Sequence, residues 1–101
     1  MRVLALDPGT RTGWALAESG HTGSGVQVFD VKRGESPGIR YLRFNRWLED
    51  LAGEASKADL IVYEQPHHRG GAATEVAAGF STRAQEFCAR HGIEHSADGQ
   101  Q

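Results

Sequence analysis

The order of apolar and polar positions along the chain predicts an antiparallel first half. Residues 2–7 (RVLALD) form a continuous apolar run closed by a carboxylate, which is typical of a central strand buried on both faces. A turn at residues 8–10 separates this run from a second strand at residues 12–18. A Gly-rich connection at residues 21–25 then leads to a third strand at residues 26–31. Two hairpins joined in this way predict an antiparallel meander.

The second half of the chain predicts a helical crossover between parallel strands. Ser36 followed by Pro37 is typical of a helix start, and apolar residues then recur at steps of three and four as far as about Lys57. Residues 59–64 (DLIVYE) form a second apolar run closed by an acid. A helix between two such runs is typical of a right-handed crossover in a parallel pair.

A second crossover completes the predicted sheet. A helix with the same rhythm follows the loop at residues 65–71 and ends before Gly92, and residues 92–95 predict a short last strand. The resulting order, βββαβαβ, predicts an α/β fold with a mixed five-stranded sheet. We expect one domain over residues 1–95 and an unstructured tail at residues 96–101.

Length and composition exclude several classes of protein. A chain of 101 residues has room for one small domain. Its single cysteine, Cys88, excludes an intrachain disulfide and a zinc site built on cysteines. No apolar run approaches the roughly 18 residues that span a bilayer, and the N-terminal run is too short for a signal peptide. We therefore expect a cytoplasmic protein with no membrane partner.

The charges are unevenly distributed although the formal net charge is only −2. Nine of the eleven basic residues are arginine, whose guanidinium group is suited to bidentate hydrogen bonding with phosphate. Basic residues dominate residues 32–47 and acids dominate residues 48–64. Two interpretations stay open: a helix with solvated charged faces, or a strip that faces phosphates.

Two carboxylates stand in matching positions at the ends of the apolar runs. If the strands ending in Asp7 and Glu64 lie side by side and parallel, both acids emerge at the sheet edge where α/β folds bind ligands. Two adjacent carboxylates repel each other, so either the pKa of one of them is raised or a cation binds between them. Carboxylates are hard oxygen ligands, which suit Mg²⁺ or Mn²⁺. The alternative is that Asp7 caps the following turn and Glu64 is a solvated strand end.

Polar residues beside each acid are candidate contacts for a phosphate backbone. Thr10 and Arg11 lie in the turn after Asp7. A second group precedes a helix whose N-terminal amides can hold a phosphate, although an exposed flexible loop is the alternative. This group consists of His67, His68, Arg69 and Gly70.

Two segments together resemble a known family of nucleases. Residues 6–16 (LDPGTRTGWAL) resemble the first motif of RuvC-like Holliday junction resolvases, members of the ribonuclease-H-like superfamily. Residues 61–66 (IVYEQP), followed by an Ala-rich helix, resemble their second motif, and the HHRGG loop is similar to the phage and prophage branch. The resemblance covers about residues 1–95 and agrees with the predicted strand order.

The resemblance implies a Mg²⁺-dependent endonuclease that acts as a homodimer on branched DNA in recombination, in a bacterial or phage-encoded setting. Asp7 matches the family's first catalytic acid and Glu64 its second. The implied chemistry is in-line attack of a metal-activated water on a backbone phosphate. The family pairs through the region equivalent to the helix at residues 72–90, which is therefore the candidate dimer surface.

The chain departs from the family pattern in two places. The family's remaining catalytic acids lie on a C-terminal helix that packs on the sheet, and no matching positions exist here. We therefore expect little or no cleavage by this chain alone, and an uncovered apolar sheet surface. The loop after Glu64 also holds His67, His68 and Arg69 where better-known members have an aromatic wedge.

Two other functions fit parts of the sequence. The missing acids favour a non-catalytic fragment that dimerises or binds branched DNA without cutting it. The second is an actin-like ATPase, whose phosphate loop reads Asp-x-Gly-Thr-x-Thr and is matched by Asp7, Gly9, Thr10 and Thr12. Such ATPases need a second, duplicated domain, which a chain of this length cannot supply.

Overall fold

The computed structural model describes residues 1–53, 57–64 and 71–98, apart from the side chains of residues 72–74 and 98. The described elements follow the predicted order βββαβαβ and form one five-stranded sheet, with strand order β3-β2-β1-β4-β5. They are β1 (Arg2–Asp7), β2 (Arg11–Glu18), β3 (His21–Val28), α1 (Ile39–Ala52), β4 (Leu60–Glu64), α2 (Ala72–His91) and β5 (Glu94–Asp98).

The central strand β1 joins the antiparallel and parallel halves of the sheet. On one side, β1 pairs antiparallel with β2, with Leu6 opposite Trp14. On the other side it pairs parallel with β4, with Leu6 opposite Tyr63. Strands β4 and β5 are also parallel. The mixed α/β sheet predicted from the apolar runs is therefore confirmed, and the carboxyl ends of β1, β4 and β5 lie at one edge.

One face of the sheet packs against both helices. Leu4 and Leu6 of β1 and Ile61 and Tyr63 of β4 alternate along their strands and are almost fully buried. These side chains contact an aromatic cluster, in which some ring pairs pack edge to face and others are tilted. Such ring pairs add to the stabilisation from apolar burial. The cluster contains Phe29, Phe44, Trp47 and Phe80.

The two helices approach closely where α2 carries a glycine. A Cβ built on Gly79 would lie 2.4 Å from the hydroxyl oxygen of Tyr41 in α1. The Tyr41 ring packs against Phe80, with the centroids 5.0 Å apart, and Arg83 lies over the same ring. The helix pair therefore depends on the absence of a side chain at position 79.

The opposite face of the sheet keeps contact with solvent in the described part of the chain. Residues of β1 and β4 that alternate with the buried ones are half-buried or exposed, as at Val3, Ala5 and Val62. Because α1 and α2 both pack on the other face, this surface is covered by neither of them. We call it the open face of the sheet.

The strand β3 begins earlier than the sequence pattern predicted. Residues 21–25 were expected to form a Gly-rich connection, but they pair with β2 along its whole length. The reason is packing against Trp14, because a Cβ on Gly25 would lie 3.1 Å from the indole nitrogen. The missing side chain at Gly25 makes room for the indole, so this glycine belongs to a strand and not to a turn.

The bounds of α1 and β5 also differ from the prediction. The segment Ser36-Pro37-Gly38 forms a turn before α1, in which the Gly38 amide donates to the Ser36 hydroxyl (3.4 Å). Strand β5 continues past His95 to Asp98, because main-chain pairing with β4 needs no side-chain periodicity. Residues 96–98 therefore belong to the sheet, and residues 99–101 lie outside the described residues.

Neither described helix combines the length and the apolar character that a membrane crossing requires.

Candidate active site

The sheet brings Asp7 and Glu64 together at its carboxyl edge. Leu6 and Tyr63 are opposite one another in the parallel pair, and each acid is the next residue along its strand. Neighbouring strands lie about 4.8 Å apart, so the two backbones are adjacent here. Both acids are exposed, whereas Leu6 and Tyr63 are buried under the helices. Alternation along the strands therefore places both carboxylates on the open face.

Both acids line one pocket on the open face, with a volume of about 290 Å³. Asp7 and Glu64 supply its carboxylates, while Gly13, opposite Asp7 in β2, supplies no side chain. The rest of the lining is small or apolar. It consists of Ala5, Leu6, Ala15, Val62 and Tyr63.

The turn after Asp7 is held by hydrogen bonds from a buried threonine. The Gly9 amide donates to the hydroxyl oxygen of Thr12 (3.2 Å), and this hydroxyl donates to the Gly9 carbonyl (2.7 Å). Thr12 is fully buried. The Phe29 amide also donates to the Thr10 carbonyl (2.7 Å), which ties the turn to the segment after β3. These contacts fix the backbone that immediately follows Asp7.

The candidate DNA contacts are described only in part. Thr10 is half-buried within the turn, and Arg11 is exposed at the start of β2, on the same edge as Asp7. The remaining candidates lie outside the described residues, so their roles stay predictions. They are His67, His68, Arg69 and Gly70.

The pair of acids suits a divalent cation, although the described side chains provide no larger cluster. Among them, no three His, Cys, Asp or Glu residues converge as a metal-binding group. Carboxylate oxygens are the ligands that Mg²⁺ and Mn²⁺ prefer, and the pocket beside Asp7 and Glu64 has space for an ion with its waters. The residues present therefore fit an ion held by two carboxylates and water.

A third acid lies at this edge that the sequence patterns did not single out. The backbone of Asp98 is opposite Glu64 in the parallel pairing of β4 and β5. Residues 96–101 lack an apolar rhythm, so the sequence pattern assigned Asp98 to a tail. The position of Asp98 becomes visible only from the pairing register of β4 and β5, which the sequence pattern does not give.

The basic segment at residues 32–47 contributes to structure as well as to surface charge. Arg43 forms an ion pair with Glu35 and donates to the Asp30 carbonyl (3.0 Å). The hydrogen bond from Arg43, with a second from the Lys32 amide, lowers the pKa of Glu35 from 4.5 to about 2. Arg43 is therefore engaged within the protein, whereas Arg46 is exposed.

The helix proposed as a dimer surface packs its apolar side against the sheet. Phe80, Ala84 and Phe87 of α2 are buried in the core, while Glu75 and Glu86 are exposed. Ordinary packing therefore accounts for the apolar stripe of α2. Pairing of two copies through the exposed side of α2 stays a prediction.

Comparison with known proteins identifies structural relatives. No family model matches the sequence, and no curated protein sequence matches it. Among solved structures, Thermus thermophilus RuvC in complex with Holliday junction substrate matches with a TM-score of 0.75 and 17% identity, over 96% of this chain and 62% of that chain. A further structure of Thermus thermophilus RuvC matches with a TM-score of 0.69 and 16% identity, over 96% of this chain and 63% of that one.

A different protein also matches the fold, with a lower TM-score. YeaZ from Pseudomonas aeruginosa matches with a TM-score of 0.57 and 23% identity, over 95% of this chain and 42% of that chain. The chain spans less than two thirds of each of these relatives. At these levels of identity the matches establish the fold, which is the ribonuclease-H-like fold of RuvC.

Proposed function

We propose that Asp7 and Glu64 form the carboxylate pair of a divalent-cation site that cuts phosphodiesters in branched DNA. The observation that carries this proposal is that the two acids end adjacent parallel strands and line the same pocket. The fold supports the choice of substrate, because one structure that shares it is RuvC in complex with Holliday junction substrate.

The chain's own residues would hold the ion and fix the backbone beside it. Asp7 and Glu64 would hold Mg²⁺ or Mn²⁺ through carboxylate oxygens on the open face. The ion, when bound, supplies positive charge that activates water and offsets the charge developing on the phosphate. Thr12 holds the turn that fixes the backbone after Asp7, so the carboxylate keeps its place as substrate binds.

Contacts to the DNA backbone would come from the same edge of the sheet. Arg11 is exposed there, and its guanidinium suits bidentate contact with a phosphate. Thr10 and the loop residues His67, His68, Arg69 and Gly70 complete the proposed contact set. A second copy of the chain, paired through α2, would place a second site on the other side of a junction.

A cleavage assay on a synthetic four-way junction tests the proposal. Because the family's remaining catalytic acids have no matching positions here, we expect at most weak Mg²⁺-dependent cleavage, which Asp7→Asn and Glu64→Gln each abolish, with a matched linear duplex cut far less. Asp50→Asn is the control, because Asp50 is an exposed acid on α1 outside the pocket. Cleavage that persists in both site variants would contradict the proposal.

A second function is favoured by one observation, namely that only two acids are found among the described side chains lining the pocket. A chain with this pair alone would bind branched DNA without cutting it. Salt-sensitive junction binding with no cleavage by the wild-type chain would support this function and contradict cleavage by this chain.

A further inference from the structure

We propose that the missing side chain of Gly13 leaves the space beside Asp7 that a hydrated divalent cation occupies. The inference rests on the proposed function and deepens it. It starts from an unexplained glycine in the middle of the sheet, at a place where glycine weakens a strand.

Backbone conformation does not explain glycine at position 13. Gly13 is not among the described glycines with positive φ, which are Gly20, Gly34, Gly71 and Gly92. Its pairing is also regular on both sides, with Asp7 opposite in β1 and Val26 opposite in β3. A β-bulge would interrupt this register, so neither a left-handed backbone nor a bulge requires glycine here.

Packing within the described part of the chain does not explain it either. A Cβ built on Gly13 has one neighbour within 4 Å, the Cβ of Asp7 at 3.8 Å, which is an ordinary van der Waals contact. Gly25 and Gly79 differ, because a Cβ there would lie 3.1 Å from Trp14 and 2.4 Å from Tyr41. The described fold therefore tolerates alanine at position 13 but not at position 79.

A further reason for a glycine within a strand is the close approach of a ligand, and here the position of Gly13 favours it. Gly13 lines the pocket that contains both carboxylates, and it lies directly across from Asp7. A methyl group at this position would project onto the open face beside the Asp7 carboxylate. It would take space needed by the water shell of an ion bound to that carboxylate, and a hard cation gives up its waters reluctantly.

Gly13→Ala and Gly23→Ala form a matched pair for the test. A Cβ on Gly23 also has its nearest neighbour at 3.8 Å, an atom of Trp14, and Gly23 does not line the pocket. Denaturant unfolding should show that both variants are at least as stable as the wild type. Mn²⁺ titration followed by electron paramagnetic resonance should show binding weakened at least about tenfold in Gly13→Ala and unchanged in Gly23→Ala.

The outcomes separate this inference from the proposed function. Wild-type affinity for Mn²⁺ in Gly13→Ala, together with weakened affinity in Asp7→Asn, would overturn the inference alone. Marked destabilisation of Gly13→Ala would also overturn it, because the fold itself would then require glycine. A wild-type chain that binds no Mn²⁺ would overturn the proposed cation site and the inference with it.

Discussion

Asp7 and Glu64, far apart in the sequence, end adjacent parallel strands in the same register and line one pocket on the open face of the sheet. This relationship follows from two buried apolar strands, each of which is followed at once by an acid. The strands stabilise the fold through Leu6 and Tyr63, and the next residue on each strand reaches solvent. The stable core therefore fixes the backbone positions of the two acids.

Thr12 should contribute to stability because it holds the turn after Asp7. Thr12→Val keeps the shape of the side chain but removes both hydrogen bonds with Gly9, so we expect a loss of about 1–3 kcal/mol in the free energy of unfolding. Urea denaturation followed by tryptophan fluorescence measures this loss. Thr12→Ser retains the hydroxyl and should lose less. Equal losses in the two variants would contradict the role of the hydroxyl.

Gly79→Ala should destabilise the chain although alanine is the better helix former. Alanine gains about 1 kcal/mol in helix propensity, but its Cβ collides with the Tyr41 ring, and overpacking costs about 1–3 kcal/mol. Thermal unfolding should give a lower midpoint than the wild type. In a Tyr41→Leu background, which removes the ring, Gly79→Ala should be neutral or stabilising. A higher midpoint for Gly79→Ala alone would rule out the close contact.

The ion pair of Glu35 and Arg43 should make the stability of the fold fall at acid pH. The hydrogen bond from Arg43 lowers the pKa of Glu35 from 4.5 to about 2. The stabilisation is therefore fully present above about pH 4.5 and lost as the pH falls toward 2. Glu35→Gln should show a smaller fall in unfolding midpoint across this range, whereas Glu75→Gln, at an exposed position, should follow the wild type. Parallel profiles for the wild type and Glu35→Gln would exclude the linkage.

Cys88 should be unreactive in the folded protein. Burial raises the pKa of its thiol from 9.0 to about 11, so the thiolate is scarce at neutral pH, and the side chain is 1% exposed. We expect slow labelling by a thiol reagent such as DTNB in native buffer and complete labelling in denaturant. Because Cys88 is the chain's single cysteine, the signal reports on one site. Rapid labelling of the native chain would show that the face of α2 that carries Cys88 is not buried.

The strands that carry the candidate acids could be predicted because their patterns are local. The runs before Asp7 and Glu64 are continuous and apolar, and each is closed by a charge, so the strands and their ends follow from the sequence alone. Burial of the first strand on both faces was wrong, because the helices cover one face only and Ala5 is exposed on the other. The steps of three and four in α2 also predicted burial of Phe80 and Phe87 correctly.

Other features depend on contacts that no local pattern reveals. Gly25 of β3 is explained by the indole of Trp14, a residue on the neighbouring strand. His91 of α2 is half-buried and hydrogen-bonded to Glu49 of α1 (2.6 Å), which no local pattern indicates. The position of Asp98 opposite Glu64 depends on the register of β5, which is set by main-chain pairing. Tertiary packing decides each of these positions.

The account depends most directly on whether Asp7 and Glu64 share one cation. Mn²⁺ titration by isothermal calorimetry on the wild type, Asp7→Asn, Glu64→Gln and the double variant tests this. We predict one wild-type site, weakened at least about tenfold in each single variant, and little further loss in the double variant because both acids serve the same ion. Full Mn²⁺ affinity in either single variant, or separate losses that simply add, would contradict a shared site.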